Sequence, residues 1–415
     1  MKWVSLQSIF TGIVVQFGPH FAKNIAPLKS YFSADPGWEI NATKWGLLQT
    51  AVSVPCALFP WIVGHYVDRV LSARMVLFLS LLSTCIGQLV FIIATMDHLF
   101  DYALVGRFVF GIGEGLTSSL PGFIAVRYIP HRKMFAIGLT ASFHALAVGL
   151  SKASLAPVAN AYSYVTSLEL SLLMCFVSLV VGSCCMPANK PENTPHQSYG
   201  RPGILPLDFW LVSSIHLLFS SAHRLFGHID AAFLQEKLGQ SASVSGYISS
   251  IAELVAVIVA PILGIVLDKY CSLHTLPTLL LGTAVTGTVA YGILGLDNDS
   301  LLTTETCLVL IGIVNGITPT VMKSVVAESV HGSMAATAFG IYESAESFGV
   351  IVGSVLIGIA VERASEHYQV CVPVFSSLLA IASLISLILL IRRHRAFVNS
   401  RPDPFQYCQY HDLNL

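Results

Sequence analysis

The sequence predicts an all-α membrane protein: twelve transmembrane helices in two six-helix, pseudo-symmetric bundles. Three observations carry that expectation. The 415 residues are 54% hydrophobic and only 11% charged, with a mean hydropathy of +0.72. That is more apolar surface than a soluble chain of this length can bury. Apolar stretches long enough to cross a hydrocarbon core, about 20 residues each, recur along the whole chain. Finally, one pattern of glycine, three residues, aspartate and a base occurs twice, as GHYVDR (64–69) and GIVLDK (264–269).

In order, the apolar spans lie near 5–30, 45–66, 75–96, 103–126, 134–157, 164–186, 206–229, 243–266, 276–296, 302–322, 335–360 and 371–391. Six fall on each side of a segment rich in Pro, Asn and Gly, MPANKPENTPHQSYGRPG (186–203), which has no apolar period and reads as a linker. The expected organisation is therefore an N-terminal six-helix bundle (1–186), a cytosolic linker (187–204), a C-terminal six-helix bundle (205–391) and a cytosolic tail (392–415). Several spans carry charges, Gly or Pro, and Gly227 is expected to loosen the backbone of the seventh.

Sidedness follows from Lys and Arg, which favour cytosolic loops. With the N-terminus cytosolic, Lys2, Arg69, Arg74, Arg127, Arg132, Lys133, Lys190, Arg201, Lys269, Lys323, Arg392, Arg393, Arg395 and Arg401 fall inside, whereas outer loops hold Lys29, Lys44, Lys237 and Arg363. Both termini are then cytosolic. Two glycosylation sequons, at Asn41 and Asn298, fall on the outer side of the same topology. The first apolar stretch contains Lys23 and lacks a small-residue cleavage site, so no cleavable signal peptide is expected.

The repeated pattern closes the second span of each half. Gly64 and Gly264 would let backbones approach closely at a helix crossing. Asp68 and Asp268 are placed to accept hydrogen bonds from the N-terminal amides of a neighbouring helix, where the helix dipole favours a negative charge. Arg69 and Lys269 would stay at the cytosolic face. A duplicated turn implies two related halves with a binding site between them, as in secondary transporters.

Together these features resemble the major facilitator superfamily, and GRFVFGIGEGL (106–116) resembles that family's fourth-helix signature. A narrower likeness, to its lysosomal dipeptide-uniporter branch, is carried by FGPHFAKNIAPL (17–28), GHYVDRVLSAR (64–74), FLQEKLGQSASVSGYISSI (233–251), APILGIVLDK (260–269) and ATAFGIYESAESFG (336–349). The resemblance implies a lysosomal or vacuolar membrane and a heavily glycosylated single-span accessory subunit as partner. YHDL (410–413) fits a tyrosine-based endosomal sorting signal; a plasma-membrane location stays open. The chain departs from the branch where it counts for cargo. Lys23 stands where members have an acid, Ala145 beside His144 where they have an Arg, and Glu114 lies one position early.

Charges inside spans are costly, at least about 2.5–3.5 kcal/mol each at the bilayer centre, so they face a cavity or a partner. The candidate pathway residues are Lys23, Arg107, Glu114, His144, Lys152, Arg224, His228, Glu253, Glu343 and Glu346. Arg107 and Glu114 share one helical stripe with Gly111 and Ser118. Lys152 must reach a carboxylate, an anionic solute or the outer interface. Asp230 and His228 form either a broken-helix binding point or a polar mouth. Glu343 and Glu346, one turn apart, could share a proton, bind an amine or pair with cations such as Lys23.

The leading expectation is a secondary-active or facilitative transporter of a small zwitterionic or anionic solute, a dipeptide or amino acid before an organic anion or a sugar. A non-transporting receptor on the same fold is the alternative. Net charge of −1 offers nothing to nucleic acid. No Walker loop, nucleophile–base constellation or metal motif points to an enzyme, a cofactor or a metal.

Overall fold

The computed structural model describes residues 14–38, 40–128, 132–185, 205–270, 275–296, 300–330, 334–365 and 367–399. The fold is all-α, as the sequence predicts. Helix α1 (Phe17–Lys23) ends at Asn24 and is followed by a single turn (Ala26–Leu28) and a short helix (Lys29–Ala34). Pro27 contributes to the break, because it has no amide hydrogen to give the Lys23 carbonyl one turn back. Next come α2 (Ala42–Arg69), α3 (Ala73–Met96), α4 (Phe100–Tyr128), α5 (Lys133–Ala161) and α6 (Tyr164–Cys185). The last six are α7 (Leu207–Leu238), α8 (Ala242–Tyr270), α9 (Thr275–Leu294), α10 (Leu301–Ser329), α11 (Ala335–Arg363) and α12 (Val372–Asn399).

Nine of the described helices are long and apolar enough to cross a membrane. Helices α4 and α7 are not among them; they carry the buried ionic side chains Arg107, Glu114 and Asp230. Outward faces are apolar. Ile86 and Ile93 of α3, Phe176 and Val180 of α6, Ile258 and Ile265 of α8, and Leu384 and Ile388 of α12 are all exposed at helical spacing, as lipid-facing residues must be.

The two sets of six meet along two long seams, α2 against α11 and α5 against α8. At one end of each seam sits a copy of the repeated pattern. Asp68, in the last turn of α2, accepts from the amides of Ala336 (3.0 Å) and Thr337 (2.8 Å) and from the Thr337 hydroxyl (2.6 Å), at the start of α11. Asp268, in the last turn of α8, accepts from the amides of Met134 and Phe135, both at 3.0 Å, at the start of α5. A side chain on Gly64 would collide with the carbonyl of Ala336, and one on Gly264 would lie 2.7 Å from the Met134 oxygen. Glycine is therefore required at both crossings. This end of the molecule is called the motif end below.

Two expectations are corrected here. Helix α7 runs unbroken through Gly227, which has open space around it; with α7 intact on both sides of it, one glycine costs only about 1 kcal/mol and breaks nothing. Lys323 is no loop residue. It lies inside α10 and faces the interior, so it does not count toward sidedness. Asn298, Lys2, Lys190, Arg201, Arg401 and the YHDL tetrapeptide lie outside the described residues.

Candidate functional site

Between the two sets of helices lies a cavity of about 660 Å³, its open mouth included, lined from α1, α4, α5, α7, α10 and α11. At 1.5 Å per residue, His144 stands about 16 Å along α5 from its start at the motif end, near mid-membrane depth. Both seams are in contact around the cavity.

Behind the first-half wall, which Ser118 lines, Glu114 is buried and fully engaged, and neither it nor Lys23 lines the cavity. Lys23 Nζ lies 2.9 Å from its Oε1, the Ser118 hydroxyl donates at 3.0 Å, and His20 Nδ1 stands at 3.3 Å. The Cys56 thiol donates to the other oxygen at 2.9 Å. Arg107 shares the stripe but not the task. Its guanidinium donates to the carbonyls of Lys23 (2.9 Å) and Ala22 (3.4 Å) and lies over the rings of Phe91 and Phe110. Those carbonyls are the unsatisfied acceptors at the end of α1, so Arg107 holds the helix break that points Lys23 at Glu114. It does not line the cavity.

The second-half wall carries two ion pairs. Arg224 Nε meets Glu346 Oε1 at 2.6 Å, and its Nη2 reaches His144 Nε2 at 2.8 Å across the interface. Lys323 Nζ meets Glu343 Oε1 at 2.8 Å. Thus Glu343 and Glu346 each take a separate cation, and neither partner is Lys23. His216 stacks on the Tyr342 ring with centroids 3.7 Å apart, bonds Ser220 through Nδ1 at 2.6 Å, and turns Nε2 toward Glu346 at 3.5 Å. His216, Glu343 and Glu346 bring ligand atoms within 4.8 Å of one another, the arrangement of a metal site. The cations of Arg224 and Lys323 already occupy both carboxylates, so the donor set does not fit a metal in this state.

Beyond the cavity, away from the motif end, Lys152 crosses the α5–α8 seam. Its Nζ stands 2.7 Å from Asp230 and 3.1 Å from Glu253. Glu253 also accepts from the Asn315 amide at 3.0 Å and faces His223 at 3.4 Å. His228 is elsewhere: its Nδ1 lies 3.3 Å from the Ser354 hydroxyl, in a smaller space of about 330 Å³ shared with Lys29, Gln49 and Tyr368. At the end of α2 away from the motif, exposed Asn41 caps the helix through Lys44 N (2.8 Å) and donates to Glu362 (3.3 Å).

Among the cavity residues that the sequence reading did not place there are Gln16, His20, His216, Asn315 and Lys323. Three of them left a signal. His216, Ser220 and Arg224 recur every four residues on α7, as Asn315, Pro319 and Lys323 do on α10, the spacing of one helical stripe. Gln16 and His20 left none, because their region reads as an ordinary start of an apolar span.

The geometry agrees with what known proteins show. Residues 8–222 and 209–406 each match the family model described as Major Facilitator Superfamily. The chain is 24% identical to the human lysosomal dipeptide transporter MFSD1 over 92% of this chain and 84% of that protein. Its identity to the Bos taurus counterpart is 25%, over 83% and 77%. Among solved structures, the human organic anion transporter MFSD10 (TETRAN) superposes with a TM-score of 0.71 at 15% identity, covering 92% of this chain and 98% of that one. The nucleoside transporter NupG gives 0.61 at 13%, covering 95% and 100%. A multi-pass helical chain, matched twice by one family model and built around a central cavity, belongs to the major facilitator superfamily: it is a membrane transporter, not an enzyme.

Proposed function

We propose that the protein carries a small zwitterion, with a dipeptide favoured, by alternating access through the central cavity. One observation supports this most: the charges lining the cavity are matched. Arg224 lies against Glu346 and Lys323 against Glu343, each pair within 3 Å. A solute carrying one ammonium and one carboxylate can open such a pair and replace both halves of it, leaving no buried charge alone. An anion would strand a carboxylate, at a cost of several kcal/mol. The similarity to dipeptide transporters supports the same solute class. The two seams supply the alternation, one end parting while the other holds.

The reading extends to cell location. The names of the relatives support a lysosomal membrane, and the Lys and Arg bias of the remaining loops supports cytosolic termini. That bias survives the removal of Lys323 from the count.

Binding decides the solute class. Purified protein is titrated with alanyl-alanine, its N-acetyl form and its C-terminal amide, following the melting temperature at two pH values. The zwitterion is expected to stabilise the protein, and each capped form to bind at least about tenfold more weakly, roughly 1.4 kcal/mol. An acetylated peptide that binds as tightly as the zwitterion would overturn the proposal in favour of an organic anion.

A further inference from the structure

Among the described residues, each buried carboxylate of the interior has a cation of its own in all but one place. Glu114 has Lys23, Glu346 has Arg224, and Glu343 has Lys323. Arg107, a buried cation with no carboxylate in contact, gives its donors to the carbonyls of Ala22 and Lys23. The seam cluster is different: one cation, Lys152, serves two carboxylates, Asp230 and Glu253, and all three are at most 3% exposed. Counted as ionised, the cluster carries one negative charge that nothing neutralises. An uncompensated charge in such a setting is the most expensive arrangement a membrane interior offers.

A metal ion does not fit the deficit, because the Lys152 ammonium already fills the space between the carboxylates. A proton needs no space, and His223 joins the cluster to the cavity. Its Nε2 lies 3.4 Å from Glu253 Oε1, and its ring lines the central cavity. The other polar and charged groups around the cluster are accounted for. Asn315 of α10 donates to Glu253, and Arg224, one residue from His223, is held by Glu346 of α11. Tyr291 of α9 is buried, with its ring against Phe226 and Phe375. Lys29, just after the turn that packs on α5, α7 and α8, lies over the Tyr368 ring.

We propose that the Lys152–Asp230–Glu253–His223 cluster binds one proton when the seam is closed, which makes this end of the transporter a proton-operated gate. The proton is shared by the group and not assigned to one atom. Losing it restores the uncompensated charge, and the seam relieves that charge by parting and admitting water. The end of α5 and the start of α8 therefore separate as the pH rises. Nothing in this depends on which solute the cavity carries.

Distance measurement between spin labels at Tyr162 and Gln240, both exposed beyond the cluster, tests the gate in lipid nanodiscs without any solute. Accessible cysteines are replaced first. The full-length protein at pH 5 is expected to give one short distance, and at pH 8 a second, longer population. Glu253→Gln and Asp230→Asn each remove the surplus charge, so each should keep the short distance at both pH values; either suffices if the other does not fold. An identical distribution at pH 5 and pH 8 in the unmutated cluster would overturn the proposal, as would an unchanged pH response in the folded variants. A response present in sodium buffer and lost in N-methylglucamine would assign the missing charge to a metal cation and also sink the proton. Since no peptide is present, failure here leaves the zwitterion reading untouched, and failure of peptide binding leaves the gate result standing.

Discussion

The two ends of the helix seams are built from different chemistry. At the motif end the same device appears twice: Asp68 on the first amides of α11 and Asp268 on the first amides of α5. At the opposite end the close crossings recur, Gly46 against the Ser354 carbonyl and Gly246 against that of Lys152, but among the described residues the polar contacts do not. Lys152 sits among buried carboxylates on one seam, and Glu362 receives Asn41 and Thr43 on the other. A carboxylate on helix amides at a part-exposed loop exchanges easily for water, so such a latch opens at modest cost. A buried ion cluster cannot exchange without water or a proton entering. The symmetric end is thus suited to repeated opening, and the asymmetric end to opening on a chemical condition.

That contrast can be broken most sharply at Lys152. Replacing it with Met leaves Asp230 and Glu253 facing each other in a buried site, which should destabilise the protein by about 3–5 kcal/mol. Thermal unfolding in detergent measures the loss, and a second substitution of Glu253→Gln should recover much of it. At the motif end a steric change should matter less. Gly264→Ala drives a methyl group into the start of α5, an overpacking worth about 1–3 kcal/mol, readable as a lowered melting temperature. Asp268→Asn keeps the shape but gives up the charge on two amides, about 1 kcal/mol.

The smallest effect lies outside the membrane. Asp35 takes hydrogen bonds from the Tyr164 hydroxyl, the Gly37 amide and His98. The Tyr164 bond above all, then the Gly37 amide, holds its carboxyl below the usual carboxylate range. A depressed acid stabilises the fold at pH values above its unfolded pKa of about 3.9 and loses that contribution as pH falls through the folded value. Tyr164→Phe should therefore cost roughly 0–1 kcal/mol at neutral pH, with the difference shrinking in acid. Melting curves from neutral pH down to pH 3 measure it.

The architecture was legible because its signals are local or doubled. Apolar length marks each helix, and the second copy of Gly-x-x-x-Asp-base marks the halves. What the sequence withheld was pairing. Arg107 and Glu114 share a face of α4, yet Arg107 turns to the carbonyls that end α1 while Glu114 meets Lys23. Helical periodicity says which residues lie together on one helix, not which neighbour they meet. Lys323 was misread for the same reason: a lysine near the end of an apolar span looks like a loop cation until α11 brings Glu343 to it. Gly227 shows the reverse error, a local weakness that the intact helix around it overrides.

The most direct test of the account is the rate and affinity of transport in Asp68→Asn. Initial rates of radiolabelled alanyl-alanine entering proteoliposomes would be compared with those of the unmodified protein. Weakening one latch by about 1–2 kcal/mol should lower the maximal rate by about 5- to 30-fold while leaving KM nearly unchanged, because Asp68 touches helix amides and not the cavity. A large rise in KM at an unchanged maximal rate would contradict it, placing the repeated motif in solute binding instead of in the movement of the two halves.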